Sequence, residues 1–254
     1  MDTTTLKLVL TPALIGAASL AGRRWGPSVS GWLVGLPLTS APIAFFLALT
    51  HGVSFAATAA TGTLAGTISQ ASFCLAYGWL AGRVSWPACV AAGSVVFFAC
   101  TAALRVLDLA PLPLFLVVAL VLAVAIRMMP APQKPPASEK LPRWDIAARM
   151  VVATVFVLFL TGIASQLGAQ LTGLLAPFPL YAAILTIFAH QFHGGDQANH
   201  VLRGLLFGLF GFAGFFLALG TLLPRAGIGL AFVAASVTAL TFHAATLWRL
   251  KAVR

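Results

Sequence analysis

Four side chains in the second half of the chain have the spacing of a metal site. His190, His193, Asp196 and His200 follow one another at intervals of three, three and four. A continuous helix would gather all four on one face, and imidazole with carboxylate is a donor set for transition metals. Gly194-Gly195 interrupts that run, so a solvated turn is the plainer expectation and no metal is assigned. His51 and His193 occupy matching places before a glycine and are read as helix ends.

A second group could hold a solute rather than a metal. Thr39, Ser40, Ser69, Gln70, Thr101, Tyr181 and His243 are polar side chains deep inside apolar segments. Polar groups in hydrocarbon cost free energy unless they are paired, so all should face the protein interior. Hydrogen bonds between helices are the plain alternative for each, at about 0.6 kcal/mol per contact. Thr39, Ser40, Gln70, Tyr181 and His243 are taken as the candidate substrate-binding set, with activity dependent on pH near neutrality if His243 takes part.

Backbone chemistry adds a third signal. Gly35, Pro37 and Pro42 fall within one apolar segment, and Pro177 and Pro179 within another. Proline removes a backbone hydrogen bond, and in lipid the freed carbonyl must be satisfied by protein or by water in a cavity. Interrupted helices at matching points of two repeats point to a transporter binding site. The alternative is a plain kink, or prolines in a first helical turn, where they are tolerated.

Other chemistries find little support. The acidic residues are Asp2, Asp108, Glu139, Asp145 and Asp196, and none sits near the centre of an apolar segment. A carboxylate relay for protons or sodium has no candidate. Neither a phosphate-binding GxxxxGK[ST] loop nor an HExxH zinc motif occurs. The expectation is a protein that is not an enzyme and needs no cofactor.

The elements that must position these groups are membrane helices. The 254 residues are 60% hydrophobic and 8% charged, with a mean hydropathy of +1.00, against about 25% charged in soluble domains. Apolar runs fall at roughly 6–22, 29–50, 55–81, 86–106, 110–128, 146–165, 171–191, 199–222 and 227–248. Each approaches the ~20 residues that span a bilayer. The first run is read as a retained helix, not a cleaved signal. Cys74, Cys89 and Cys100 lie in apolar segments and read as packing residues. The stretch Met129 to Trp144, with Pro130, Pro132, Pro135 and Pro136, is a linker.

A formal charge of +10 would suggest nucleic acid in a soluble protein. In a membrane protein it reflects basic cytoplasmic loops, with anionic lipid headgroups as partners. Twelve basic residues (Arg23, Arg24, Arg83, Arg127, Lys134, Lys140, Arg143, Arg149, Arg203, Arg249, Lys251 and Arg254) fall on one side of this topology. Lys7, Arg105 and Arg225 fall on the other. The N-terminus is therefore expected outside and the C-terminus in the cytoplasm.

A shift of 142 positions lays the second half of the chain on the first without a gap. Gly31 meets Gly173, Pro37 meets Pro179, His51-Gly52 meets His193-Gly194, and Gly62 and Gly66 meet Gly204 and Gly208. From residue 26 to 103, 25 of 78 positions are identical. Four helices per copy plus one linking helix place the second copy in the opposite orientation, as in inverted-repeat transporters. The loss of Arg23 and Arg24 at Ser165 and Gln166 agrees with that inversion. Gln70 and His243 break the symmetry, since their counterparts are Phe212 and Thr101.

The stretch Gly173-Leu-Leu-Ala-Pro-Phe-Pro-Leu-Tyr-Ala-Ala-Ile-Leu, followed by His190, resembles the GlpM-type inner-membrane proteins. Gly31-Trp-Leu-Val-Gly-Leu-Pro-Leu-Thr-Ser-Ala-Pro matches the same pattern more weakly. Those proteins are small four-helix units regarded as inserting in both orientations, some loosely linked to exopolysaccharide production. The resemblance implies a fused pair of such units in a bacterial inner membrane, and it carries over no catalytic residues.

The expected architecture is an all-α integral membrane protein of about nine transmembrane helices. Residues 1–106 form the first four-helix repeat, 107–144 the linking helix and Pro/Lys-rich loop, and 145–254 the inverted second repeat. The expected function is a permease or channel for a small neutral or anionic solute, held near the midplane between spans 29–50, 55–81, 171–191 and 227–248. The alternative is a non-transporting accessory subunit in envelope polysaccharide or lipid assembly. A second copy of the chain is a further candidate partner.

Overall fold

A computed structural model of the protein describes residues 3–22, 27–107, 109–133 and 144–252. The charged part of the linker, including Lys134, Glu139, Lys140 and Arg143, lies outside these residues, as do Arg23, Arg24, Gly26, Asp108 and Arg254. All regular structure among the described residues is helical. In chain order the helices are α1 (Thr3–Gly22), α2 (Pro27–Val34), α3 (Ser40–His51), α4 (Val53–Leu80), α5 (Trp86–Leu104), α6 (Pro111–Met128), α7 (Asp145–Gly162), α8 (Ala164–Leu167), α9 (Ala169–Leu175), α10 (Leu180–His193) and α11 (Gly195–Ala252).

The 58-residue α11 is two helices meeting at Gly227, whose φ of 73° departs from helical geometry. Pro224 lies one turn earlier and weakens the ladder there. Prolines also open α5 and α6, where a missing N–H leaves nothing unsatisfied.

Among the described residues, four helical stretches are long and apolar enough to cross a membrane: Trp86–Leu104, Pro111–Met128, Ala169–His193 and Gly195–Thr246. The expected spans 29–50 and 171–191 each become two shorter helices, because the chain unwinds at 35–39 and 176–179. The outer helices α5, α6 and α7 carry exposed rows such as Leu112, Leu116, Leu120 and Val124, or Val151, Val155 and Phe159. Aliphatic rows of that extent would form an untenable water-facing surface, whereas lipid accepts them. This is the character of a helical membrane protein.

The interior is built from α2, α3, α4, α9, α10 and the first part of α11. Helix α4 is rich in alanine, glycine and threonine, and its hydroxyls close onto their own helix. Thr63 Oγ1 donates to the Ala59 carbonyl at 2.9 Å and Thr67 Oγ1 to the Thr63 carbonyl at 3.2 Å. These back-bonds make threonine tolerable in a dry core.

Helix boundaries recur 142 residues apart: α2 with α9, α3 with α10, and the start of α4 with that of α11. The turns between them also match. Gly52 has φ 87° and Gly194 φ 84°, a left-handed conformation that costs other residues but not glycine.

Contacts recur with the partners exchanged. A Cβ built on Gly31 would strike the Val201 carbonyl, and one built on Gly173 would strike the Ala59 carbonyl. Gly208 likewise abuts the Trp32 carbonyl, and Gly66 the Leu174 carbonyl. Small residues thus let α2 approach α11, and α9 approach α4, backbone against side-chain-free backbone. Helix α6, which has no counterpart, leans on both α4 and α11.

Candidate solute site at two helix breaks

The two interruptions have one local shape. In the first, Leu36 N donates to Leu33 O, Leu38 N to Leu36 O at 2.7 Å, and Ala41 N to Pro37 O at 2.8 Å. In the second, Phe178 N donates to Leu175 O, Leu180 N to Phe178 O at 2.8 Å, and Ala183 N to Pro179 O at 2.7 Å. Every donor and acceptor in one set lies 142 positions from its equivalent in the other. Gly35, Pro37, Pro177 and Pro179 all fall within the breaks. Pro42 does not: it is the third residue of α3, in a first turn whose N–H groups have no helical acceptor anyway.

The breaks meet at one small cavity. Its wall includes Leu36, Thr39, Ser40 and Gln70, and also Phe178, Tyr181, Ala182 and Phe212. These are four matched pairs at an offset of 142, so the cavity lies where the two halves of the chain face each other. The first half contributes two hydroxyls and an amide. The second contributes aromatic rings and a methyl group, with the Tyr181 hydroxyl as the polar side-chain group among those four residues.

About 20 Å³ is open to the centres of water molecules, enough for one water. Thr39, Ser40, Gln70 and Tyr181 are brought together there. Ser40 Oγ donates to the Ala176 carbonyl at 2.9 Å, joining the start of α3 to the end of α9. Gln70 is 6% exposed, and its Oε1 has no hydrogen-bond partner.

His243 does not line this cavity. Its ring packs at 4.8 Å from that of Trp32 and fills the space left by Gly211, where a Cβ would fall onto Nδ1. Neither ring nitrogen has a partner in hydrogen-bonding geometry. The matching position in the first half, Thr101, donates to Ser69 Oγ at 2.9 Å. A large ring beside a glycine in one half thus corresponds to two small hydroxyls in the other. Depth in a span, the property His243 shares with Gln70, does not reveal the direction of a side chain.

The histidine run is also dispersed. His190 Nδ1 lies 3.1 Å from the hydroxyl of Tyr77, and Asp196 Oδ1 accepts from the backbone of Gln133 at 3.3 Å. The left-handed Gly194 turns the chain between His193 and Asp196. Among the described residues no three His, Cys, Asp or Glu side chains gather as a metal-binding set.

Arg149 is the residue that spacing alone did not place. It is 4% exposed, with its guanidinium carbon 5.2 Å from the centre of the Tyr181 ring. A cation over an aromatic face is favourable, more so when desolvated. The available signal was its register: 142 positions from Lys7, each a lone cation near one end of an apolar run.

Comparison of the chain with protein-family models, with curated proteins and with solved structures finds no match in any of the three.

Proposed function

We propose that the protein is a permease or channel for a small neutral or anionic solute, held between two inverted four-helix copies near the bilayer midplane. The supporting observation is the cavity at which two like-shaped helix breaks converge, lined by Gln70 with its unpaired buried oxygen. Exchanged contacts such as Gly31 on Val201 and Gly173 on Ala59 are what a twofold axis between copies produces. With a linking helix between the copies, that axis lies in the membrane plane. Nine spans, an outer N-terminus and a bacterial inner membrane complete the reading, with the fused GlpM-type origin as its family proposal. The described lining carries no carboxylate, and the α3 and α10 N-termini bring partial positive charge to the breaks.

The test is solute-driven swelling of proteoliposomes, with glycerol and urea as neutral probes and lactate and nitrate as anions. Flux of at least one probe above empty liposomes, lost in Gln70→Leu, is the expected result. The accessory reading draws on one observation, the room for a single water in the cavity. Absence of flux for every probe, together with an envelope polysaccharide defect in a deletion strain, would favour it.

A further inference from the structure

One face of α4 carries Thr58, Gly62, Gly66 and Gln70 at four-residue intervals, and a four-residue spacing is one stripe of a helix. Thr58 and Gly62 line a recess of about 300 Å³ that opens between α4, α9 and the α5–α6 turn. Gln70 lines the cavity at the helix breaks. Gly66 lies between them: a Cβ there would come within 2.6 Å of both the Leu174 carbonyl, whose residue lines the recess, and Pro177 Cγ, whose residue lines the cavity. Gly66 thus packs tightly against one lining residue of the recess and one of the candidate site.

The matching stripe on α11 is His200, Gly204, Gly208 and Phe212, and a larger side chain stands beside it. Trp32 stands where the recess has Leu174, and Thr246 where it has Leu104. Trp32 Nε1 donates to Thr246 Oγ1 at 3.0 Å, and its ring rests against His243. The two halves share a backbone plan, yet a hydrogen-bonded Trp32–Thr246 pair stands where the recess has two leucines.

Resting on the permease reading, we propose that this recess is the outer vestibule of the solute path, that Gly66 with Leu174 and Pro177 forms its closed inner gate, and that Trp32, His243 and Thr246 seal the cytoplasmic end. Arg105 supplies hydrogen-bond donors to the vestibule, so it takes a small solute carrying acceptor oxygens, neutral or anionic; the Thr58 and Thr61 hydroxyls donate to the Ser54 and Ala57 carbonyls and present acceptors to it. Arg105 brings positive charge to the lining, and among the described lining residues there is no carboxylate.

Thiol labelling tests this without knowledge of the solute. The wild type is the blank, since Cys74 and Cys89 are buried and Cys100 is half-buried. Thr61→Cys is expected to react with a membrane-impermeant maleimide in intact spheroplasts. Phe207→Cys, at the position matching Ala65 of the vestibule, is expected to stay at least tenfold less reactive in inside-out vesicles. Adding Trp32→Ala should then expose Phe207→Cys from the cytoplasmic side, and Trp32→Phe, which keeps the ring, should not. Labelling of Thr61→Cys only from the cytoplasm, or equal labelling at both positions, overturns the vestibule. That failure is distinct from failure of the permease reading, which is decided by probe flux and its loss in Gln70→Leu.

Discussion

The hydroxyl of Ser40 donates a 2.9 Å hydrogen bond to the carbonyl of Ala176. The two residues are 136 positions apart in sequence, yet one opens the helix after the first break and the other follows the helix before the second. A carbonyl released at the end of α9 is thereby satisfied inside the protein, as hydrocarbon requires. The matching residue to Ser40 is Ala182, which has no hydroxyl, so this clasp exists on one side only.

Ser40→Ala should therefore remove the partner of a buried carbonyl. Leaving such a group unsatisfied costs about 1–3 kcal/mol. The thermal unfolding midpoint in detergent should fall measurably for Ser40→Ala and stay near wild type for Ser40→Cys only if the thiol can reach the same oxygen. An unchanged midpoint in Ser40→Ala would mean that the clasp contributes nothing.

Gln70 should behave in the opposite sense. Its Oε1 is buried without a partner, so replacing the side chain by leucine removes an unsatisfied group and should be neutral or stabilising. Flux of the responsive probe should nevertheless drop at least tenfold. Loss of stability in Gln70→Leu would instead mark a structural amide.

Much of this arrangement is legible in sequence because it is written in prolines and glycines. Pro37 and Pro179 mark the breaks, and Gly52 and Gly194 the turns, since backbone chemistry leaves residue-type signatures. Side-chain direction leaves none. His243 and Gln70 looked alike in depth, yet only Gln70 reaches the cavity, because Gly211 draws the imidazole aside. The recess at Thr58 and Gln170 was likewise unreadable, as it depends on how the α5–α6 turn sits over α9. There Gln170 Nε2 donates to the Arg105 carbonyl at 3.2 Å, a contact no local pattern announces.

The exchanged glycine contacts predict paired sensitivity. Gly31→Ala and Gly173→Ala each drive a methyl group into a carbonyl of the facing helix, a backbone atom that cannot rotate away. Overpacking of this kind costs typically 1–3 kcal/mol or more. Both should reduce monodisperse protein after detergent extraction by a similar factor, while Gly229→Ala, which meets open space, should not. Sensitivity at one of the pair alone would contradict the twofold relation.

Topology supplies a further check. Reporter fusions at Ser54 and Gln166 should read as external, and those at Glu139 and Arg254 as cytoplasmic. An internal signal at Gln166 would remove the inversion, because the loop after α7 and α8 must lie opposite the loop after α1.

The last prediction concerns the pair that distinguishes the halves. In one, Thr101 donates to Ser69. In the other the same two positions hold His243 and Gly211, ring against bare backbone. Gly211→Ser alone would force its Cβ into the imidazole, and His243→Thr alone would leave a void where the ring was. Each single change should destabilise by about 1–3 kcal/mol. Made together, they recreate the Ser69–Thr101 bond in the second half and should recover most of that loss. A double-mutant cycle on unfolding in detergent should then give a coupling of roughly 0.5–3 kcal/mol in favour of the pair. Additive costs would mean that the two halves do not share a local backbone at this depth. Recovery of fold should also separate structure from gating. His243 packs on Trp32, so the double variant should retain stability yet loosen the cytoplasmic seal, read as increased maleimide labelling of Phe207→Cys in inside-out vesicles.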